Sequence, residues 1–256
     1  MIRIGTSGYS YDDWVGPYYP ETLAKSERLG FYAREFDTTE LNFSYYRQPN
    51  PWMLERIAAK VPPGFLFTIK AFRGLTHERE DNEGEFKAFV AALKPLLDQD
   101  KLGCILAQFP YSFHAKPENR DYLKLLRDRL GDLPAVVELR NRAWISPETF
   151  EYLQGNRLGF CCVDEPRLKG LLPPIVEVTA PVAYVRFHGR NAAKWWRHDE
   201  PWERYDYTYS QAELEEWVAK VQKLEDRAER TFLFANNHWQ GQAVGTARQL
   251  KMLLEQ

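Results

Sequence analysis

The sequence predicts an α/β fold, a single (β/α)8 TIM-type barrel, on three observations. Eight short apolar runs recur along the chain, and nearly all are followed by a helical pattern. The chain has 256 residues, the length such a barrel takes as one domain. No glycine-rich phosphate loop follows an early strand, as an open doubly wound sheet would tend to show. The first loop reads Gly5-Thr6-Ser7-Gly8, without GxGxxG or Walker spacing.

The strands are expected at residues 2–5, 38–41, 66–71, 104–109, 135–139, 160–164, 182–188 and 231–236. Each run is β-branched or aromatic and apolar on both faces, as buried parallel strands are. Between them, residues 23–36 place Leu29, Tyr32, Ala33 and Phe36 near one helical face. Residues 51–60 open on Pro51, which suits a first helical turn. Residues 86–97 carry Phe86, Phe89, Val90, Leu93 and Leu97 at helical spacing. Residues 117–130 and 147–153 are again proline-first, the second with Ser146 as N-cap. Ser210 and Glu213 form a capping box for 210–224, and 243–254 closes the chain. Residues 165–179, with Pro166, Pro173 and Pro174, read as loop. No composition break interrupts this order, so residues 1–256 form one expected domain.

Bulk composition narrows the function. The net charge is -2 and the pI about 6.3, so no global basic field holds nucleic acid or an anionic membrane. Three cysteines, Cys104, Cys161 and Cys162, show no framework or zinc spacing. They fit free buried thiols in a reducing compartment. With no signal-peptide pattern and no long apolar run, a cytoplasmic location is expected.

The polar residues inside the strands carry the most information. Side chains two apart on a strand share a face. One phase holds Thr38, Glu40 and Asn42 on the second strand, Thr68 and Lys70 on the third, Gln108 on the fourth, and Glu138 and Arg140 on the fifth. The same phase is assigned to Cys162 and Asp164, to Arg186 and His188, and to Asn236 on the last three strands. If that phase faces the lumen, these groups meet at the C-terminal end of the barrel, where active sites of this fold sit. Each unpaired charge would cost several kcal/mol to bury. Both signs are present, so mutual pairing is feasible, and a purely structural ion-pair network is the competing reading.

The same segments resemble the DUF72 (YecE-like) family over nearly the full length. The matching stretches are Ile4-Gly5-Thr6-Ser7-Gly8-Tyr9-Ser10-Tyr11 with Trp14, Tyr18-Tyr19-Pro20, and Thr39-Glu40-Leu41-Asn42 with Tyr45-Tyr46-Arg47. They continue with Lys70-Ala71 and Thr76-His77, Gln108-Phe109-Pro110 with Ser112-Phe113, and Glu138-Leu139-Arg140 with Trp144. Last come Tyr184-Val185-Arg186-Phe187-His188-Gly189-Arg190 and Asn236-Asn237 with Gly241. Tyr111 departs from the pattern, standing where a second proline is expected after Gln108, and Asn141 satisfies its position loosely. The resemblance implies the barrel. It implies little chemistry, since the family name marks unknown function.

The residues themselves suggest acid/base chemistry. Glu40, Lys70, Glu138, Asp164 and His188 are the candidate catalytic groups, with Glu138 and His188 ranked above Lys70. Arg140, Arg186 and Lys70 are charge stabilisers, with Lys70 an electrophile or Schiff-base amine if desolvated. Anion binding is expected where the loops after strands seven and eight carry Gly189, Arg190, Asn236, Asn237 and Gly241. Thr6 and Ser7 could approach a ligand between their flanking glycines. Tyr9, Trp14, Tyr46, Trp144, Trp195, Trp196, Trp202 and Trp239 fall in expected top-face loops and suit stacking on a sugar or base; packing among themselves is the plainer alternative. Glu40, Glu138, Asp164 and His188 are legitimate metal ligands, but only five histidines are present and none shows HxH or HExxH spacing. A metal is open but not favoured, and no nucleotide-cofactor motif appears.

The leading expectation is an enzyme acting on a small anionic or polyhydroxylated substrate, such as a phosphosugar or nucleotide. Glu138 or Glu40 would be its general base. A nucleic-acid-binding or nuclease-like barrel is the alternative, less favoured because of the pI. A non-catalytic scaffold with an aromatic lid is the third. The oligomeric state is not legible in the sequence.

Overall fold

Eight parallel strands form the ring: β1 (Ile2–Thr6), β2 (Thr38–Leu41), β3 (Leu66–Lys70), β4 (Leu102–Gln108), β5 (Ala135–Glu138), β6 (Gly159–Asp164), β7 (Val182–Phe187) and β8 (Arg230–Ala235). The structure is a computed structural model and describes residues 1–255. The strands pair in the order β1-β8-β7-β6-β5-β4-β3-β2. Around them lie α1 (Arg28–Tyr32), α2 (Phe43–Tyr46), α3 (Pro51–Ala58), α4 (Glu83–Ala92), α5 (Lys94–Asp98), α6 (Pro117–Leu130), α7 (Pro147–Gly155), α8 (Gln211–Glu225) and α9 (Gln242–Leu254). Among the described residues no helix is long and apolar enough to cross a membrane.

All eight expected strands are present, within two residues of their expected ends. Local chemistry accounts for the helices. Pro51, Pro117 and Pro147 each stand in a first turn, where their missing N–H costs nothing. Asn50 and Ser146 accept from the backbone N–H of Met53 and Thr149. Ser210 and Glu213 complete the capping box of α8. Two helices differ from expectation. The 86–97 pattern is split into α4 and α5 because Pro95 starts a new first turn. The 23–36 pattern condenses to a short 3-10 turn and α1.

The ring closes between β1 and β2 through a narrow seam. One parallel bridge joins Ser7 and Glu40, with Gly8 N donating to Glu40 O at 2.8 Å. Below it the Tyr32 hydroxyl of α1 is wedged between the strands. It accepts from Thr6 N at 2.9 Å and donates to Thr38 O at 3.0 Å, replacing a ladder bond by a side chain. Gly5 makes this possible. A Cβ there would lie 2.2 Å from Thr38 O and 2.9 Å from the Tyr32 hydroxyl. Across the lumen Gly103 does similar service, since a Cβ would lie 2.7 Å from the Phe232 ring.

Strand β6 departs from the expected phase. Asp164 does not enter the lumen with Glu40 and Glu138. Its Oδ1 accepts from Tyr209 Oη at 2.7 Å and Arg190 Nε at 2.8 Å. Its Oδ2 accepts from Trp217 Nε1 at 2.7 Å and Arg190 Nη2 at 2.8 Å. Trp217 belongs to α8, so the carboxylate pins that helix to the barrel wall. The buried Cys162 follows the same outward phase, with its thiol toward Glu177 O.

All three cysteines are free and buried. Replacing Asp164 by alanine leaves the Trp217 and Tyr209 donors buried without their acceptor. The expected cost is about 3–5 kcal/mol, read as a lower urea midpoint by far-UV circular dichroism. An unchanged midpoint would show that Asp164 does not hold α8.

Candidate functional site

The lumen floor is a charge network built by alternate residues of β2, β5 and β7. Arg186, on β7, is almost wholly buried. Its Nη1 donates to Glu138 Oε2 at 2.6 Å and its Nη2 to Glu40 Oε1 at 2.8 Å. One guanidinium thus ties β2 to β5 across the barrel. Tyr184, two residues earlier and on the same face, donates to Glu40 Oε2 at 2.6 Å and lies 2.8 Å from Thr68 Oγ1. Arg140 Nε takes the remaining oxygen of Glu138 at 2.8 Å. Such a fork suits arginine, whose planar donors reach two carboxylates at once.

Titration follows from these contacts. Burial pushes the Glu138 carboxyl up, but the Arg186 and Arg140 guanidiniums outweigh it and hold it well below the usual carboxylate range. His188 is fully buried, and burial lowers it to about 4 despite the nearby Glu138 carboxylate. It is therefore neutral at pH 7. Its Nδ1 lies 2.9 Å from Asn236 Nδ2 and accepts from that amide. Its Nε2 lies 3.3 Å from Glu138 Oε1, an electrostatic approach to that carboxylate.

Above the floor opens a cavity of about 650 Å³ at the C-terminal ends of the strands. Glu40, Asn42, Lys70, Gln108, Arg186 and Asn236 bring polar groups to it, and Tyr9, Tyr11 and Tyr46 bring aromatic faces. A lid crosses it from the loop after β7, a 3-10 segment Pro201–Tyr205 that contributes Trp202 and Tyr205. Trp202 stacks on Trp239 at 3.7 Å between ring centres, and His238 stacks on Tyr11 at 4.6 Å. The lid is thus held by the loop after β8, which in turn stacks on the loop after β1.

Lys70 is the unusual group. No protein acceptor lies within hydrogen-bonding reach of its Nζ among the described residues, and the ammonium sits 4.4 Å from the centre of the Tyr45 ring. Burial, reinforced by Arg186, lowers it to about 7, with Glu138 opposing. At neutral pH a substantial fraction is the free amine.

The family model "Protein of unknown function DUF72" matches residues 3–256. The chain belongs to the DUF72 family. A curated relative, the UPF0759 protein YunF of Bacillus subtilis, is 33% identical, covering 100% of this chain and 95% of that protein. A DUF72 crystal structure from Thermotoga maritima superposes with a TM-score of 0.92 at 39% identity, covering 100% of both chains. One from Enterococcus faecalis gives 0.89 at 29% identity, covering 100% of this chain and 96% of that one.

In this DUF72 barrel the residues expected at the site separate into three groups. Tyr9, Glu40, Asn42, Tyr46, Lys70, Gln108, Arg186 and Asn236 line the main cavity. Glu138 and His188 lie in the network beneath it, and Arg140 reaches a smaller neighbouring pocket. The rest lie elsewhere. Asp164 and Arg190 pair outside the barrel. Thr6 Oγ1 donates to Gly8 O at 2.6 Å within the seam, where Ser7 is also buried.

The tryptophans expected to stack on a ligand are largely consumed by packing. Trp14 and Trp144 are fully buried, their Nε1 groups donating to His238 O and Phe113 O. Trp195 is buried too. Asn237 donates to Tyr207 O and Thr246 Oγ1, bracing α9. Gly189 and Gly241 have φ of 87° and 78°, the left-handed region that makes each a turn glycine. A Cβ on Gly189 would come 2.7 Å from Tyr207 Cβ.

The four metal donors weighed from the sequence do not converge: Asp164 is outside, and the oxygens of Glu138 face guanidiniums. Sequence reasoning did not single out Tyr11, Tyr184, Tyr205 and His238 as site residues. Only Tyr184 carried a usable signal, its phase with Arg186.

His188 is charged in acid only at a cost. Its folded value of about 4 lies below the ordinary 6.5, so the unfolded chain takes the proton first as pH falls. Stability contributed by neutral His188 is complete above about 6.5 and is lost toward 4. The denaturant midpoint of the parent is expected to fall across that window, and the fall in His188→Gln to be smaller. An identical pH dependence in both would contradict the assignment.

Proposed function

We propose that this barrel is an enzyme acting on a small anionic or polyhydroxylated substrate, with the Lys70 amine as its proton-transfer group. One observation carries the reading. A lysine amine with no hydrogen-bond acceptor among the described residues faces a cavity of about 650 Å³, lowered by burial to about 7. A base tuned near the working pH is what proton transfer requires, and perturbed groups in clefts mark functional sites.

The other residues support roles around it. Glu138, expected from the sequence as a general base, has both oxygens held by guanidiniums and is poorly suited to accept a proton. Arg186 and Arg140 set the field. Asn42 and Gln108 offer acceptors and amide donors to substrate hydroxyls, between tyrosine faces suited to a sugar ring. The nucleic-acid alternative has less support, because Trp14, Trp144 and Trp195, which would stack on bases, are buried.

Titration of Lys70 tests this directly. In protein whose lysines carry 13C-methyl labels, a resonance absent from Lys70→Met is expected to titrate near pH 7, and a midpoint near 10.5 would remove the base. A thermal-shift screen of phosphorylated and polyhydroxylated metabolites is expected to find a ligand. With that ligand as substrate, Lys70→Met is expected to lose turnover by about a hundredfold or more while still binding.

A further inference from the structure

Beside the main cavity, and sharing Gln108 with it, lies a second pocket of about 220 Å³. Two guanidiniums face it, from Arg140 at the end of β5 and Arg204 on the lid, and no acidic residue lines it. Arg140 spends its Nε on Glu138, and no protein acceptor takes its terminal amino groups among the described residues. Arg204 forms no ion pair there either, and its Nε is buried without a partner. Its guanidinium lies 5.4 Å from the Trp195 ring centre. Stacking of this kind fixes the guanidinium while leaving its donor edge free.

The surroundings add no negative charge to the pocket. His77 lines the same pocket. Burial first, then Lys70, Arg140 and Arg79, push it down to about 4, against Glu138. The acidic groups nearest Arg140 do not line the pocket. Glu138 is in the floor network, and buried Glu165, which accepts from Leu172 N at 2.9 Å, is pushed up to about 7 by burial against the pull of Arg140.

We infer that this side pocket is an oxyanion subsite, in which Arg140 and Arg204 hold the phosphate or carboxylate of a substrate whose reacting end lies against Lys70. The inference deepens the proposed function by naming the anionic end of the substrate and the residues that hold it. It also takes that end off Gly189, Arg190, Asn236, Asn237 and Gly241, where the sequence placed it, since Arg190 and Asn237 already have protein partners. Free donors in a fork, in a partly buried pocket with no competing carboxylate, are what bidentate oxyanion binding needs. Because Arg204 rides on the lid while Arg140 belongs to the barrel, a bound oxyanion would bridge the two. Binding and lid ordering are therefore coupled.

The test uses inorganic phosphate and malonate as separate probes, titrated calorimetrically at constant ionic strength set with sodium chloride. Hydrogen exchange is followed in residues 194–207. The parent is expected to bind at least one probe and to gain protection in the lid. Arg204→Gln is expected to weaken that binding about tenfold or more and to abolish the protection. Arg56→Gln, on an exposed helix face, is expected to do neither. A preference for phosphate points to a phosphoester tail, and a preference for malonate to a carboxylate.

No binding of either probe by the folded parent, or equal binding by Arg204→Gln, overturns the subsite. Lys70→Met separates the two proposals. Retained, Arg204-dependent binding in that variant supports the subsite even if Lys70 titrates normally. Loss of the subsite in a protein whose Lys70 titrates near 7 overturns this inference alone.

Discussion

The site depends on one buried guanidinium. Arg186 spans the lumen from β7 and takes a carboxylate from each side, Glu40 on β2 and Glu138 on β5. Removing such charges from water costs several kcal/mol each, returned only when pairing is close and complete. Here it is nearly complete, with Tyr184 and Arg140 occupying the remaining carboxylate oxygens. Two glutamates balance two arginines. Lys70, at the wall of the cavity, has its protonated form disfavoured first by burial and then by Arg186, with Glu138 opposing. The carboxylates beneath it are already taken by Arg186, Arg140 and Tyr184 and form no ion pair with it.

The arrangement also explains why the mouth is both braced and open. Polar side chains below the cavity are spent on one another, whereas several around its rim are not. Among the described residues Lys70 and the terminal groups of Arg140 have no hydrogen-bond acceptor, and Arg204 joins them from a lid pinned by the Trp202–Trp239 stack. Relatives in the DUF72 family share the fold at TM-scores of 0.89 and 0.92. A barrel of this kind hosts many chemistries, so the functional reading rests on these side chains and not on the fold.

Much of this was legible in the sequence because buried parallel strands write themselves as short apolar runs, and a polar residue within one is conspicuous. That logic located Glu40, Lys70, Glu138, Arg140, Arg186 and Asn236 on one face. It failed on β6, where Cys161 and Val163 alternate with Cys162 and Asp164. Apart from Asp164 both phases are apolar, and Asp164 is satisfied from outside by Trp217 and Tyr209, which lie more than forty residues downstream. It also misplaced the tryptophans. A tryptophan in a loop looks exposed in sequence, and nothing local reveals that Trp14 and Trp144 find backbone acceptors in distant segments. The sequence ranks Glu138 above Lys70, and nothing local in it shows that both Glu138 oxygens face guanidiniums.

The most direct measurement is the protonation of Glu138 itself, followed by carboxyl 13C NMR on glutamate-labelled protein and assigned by the resonance missing from Glu138→Gln. If Arg186 and Arg140 hold this carboxylate as described, its signal stays that of the ionised form from pH 7 down to the acid limit of the folded state. The same signal in Arg186→Met moves to a higher midpoint. Titration of the parent near the ordinary value of 4.5 would contradict the buried network, and the explanation of Lys70 would fall with it.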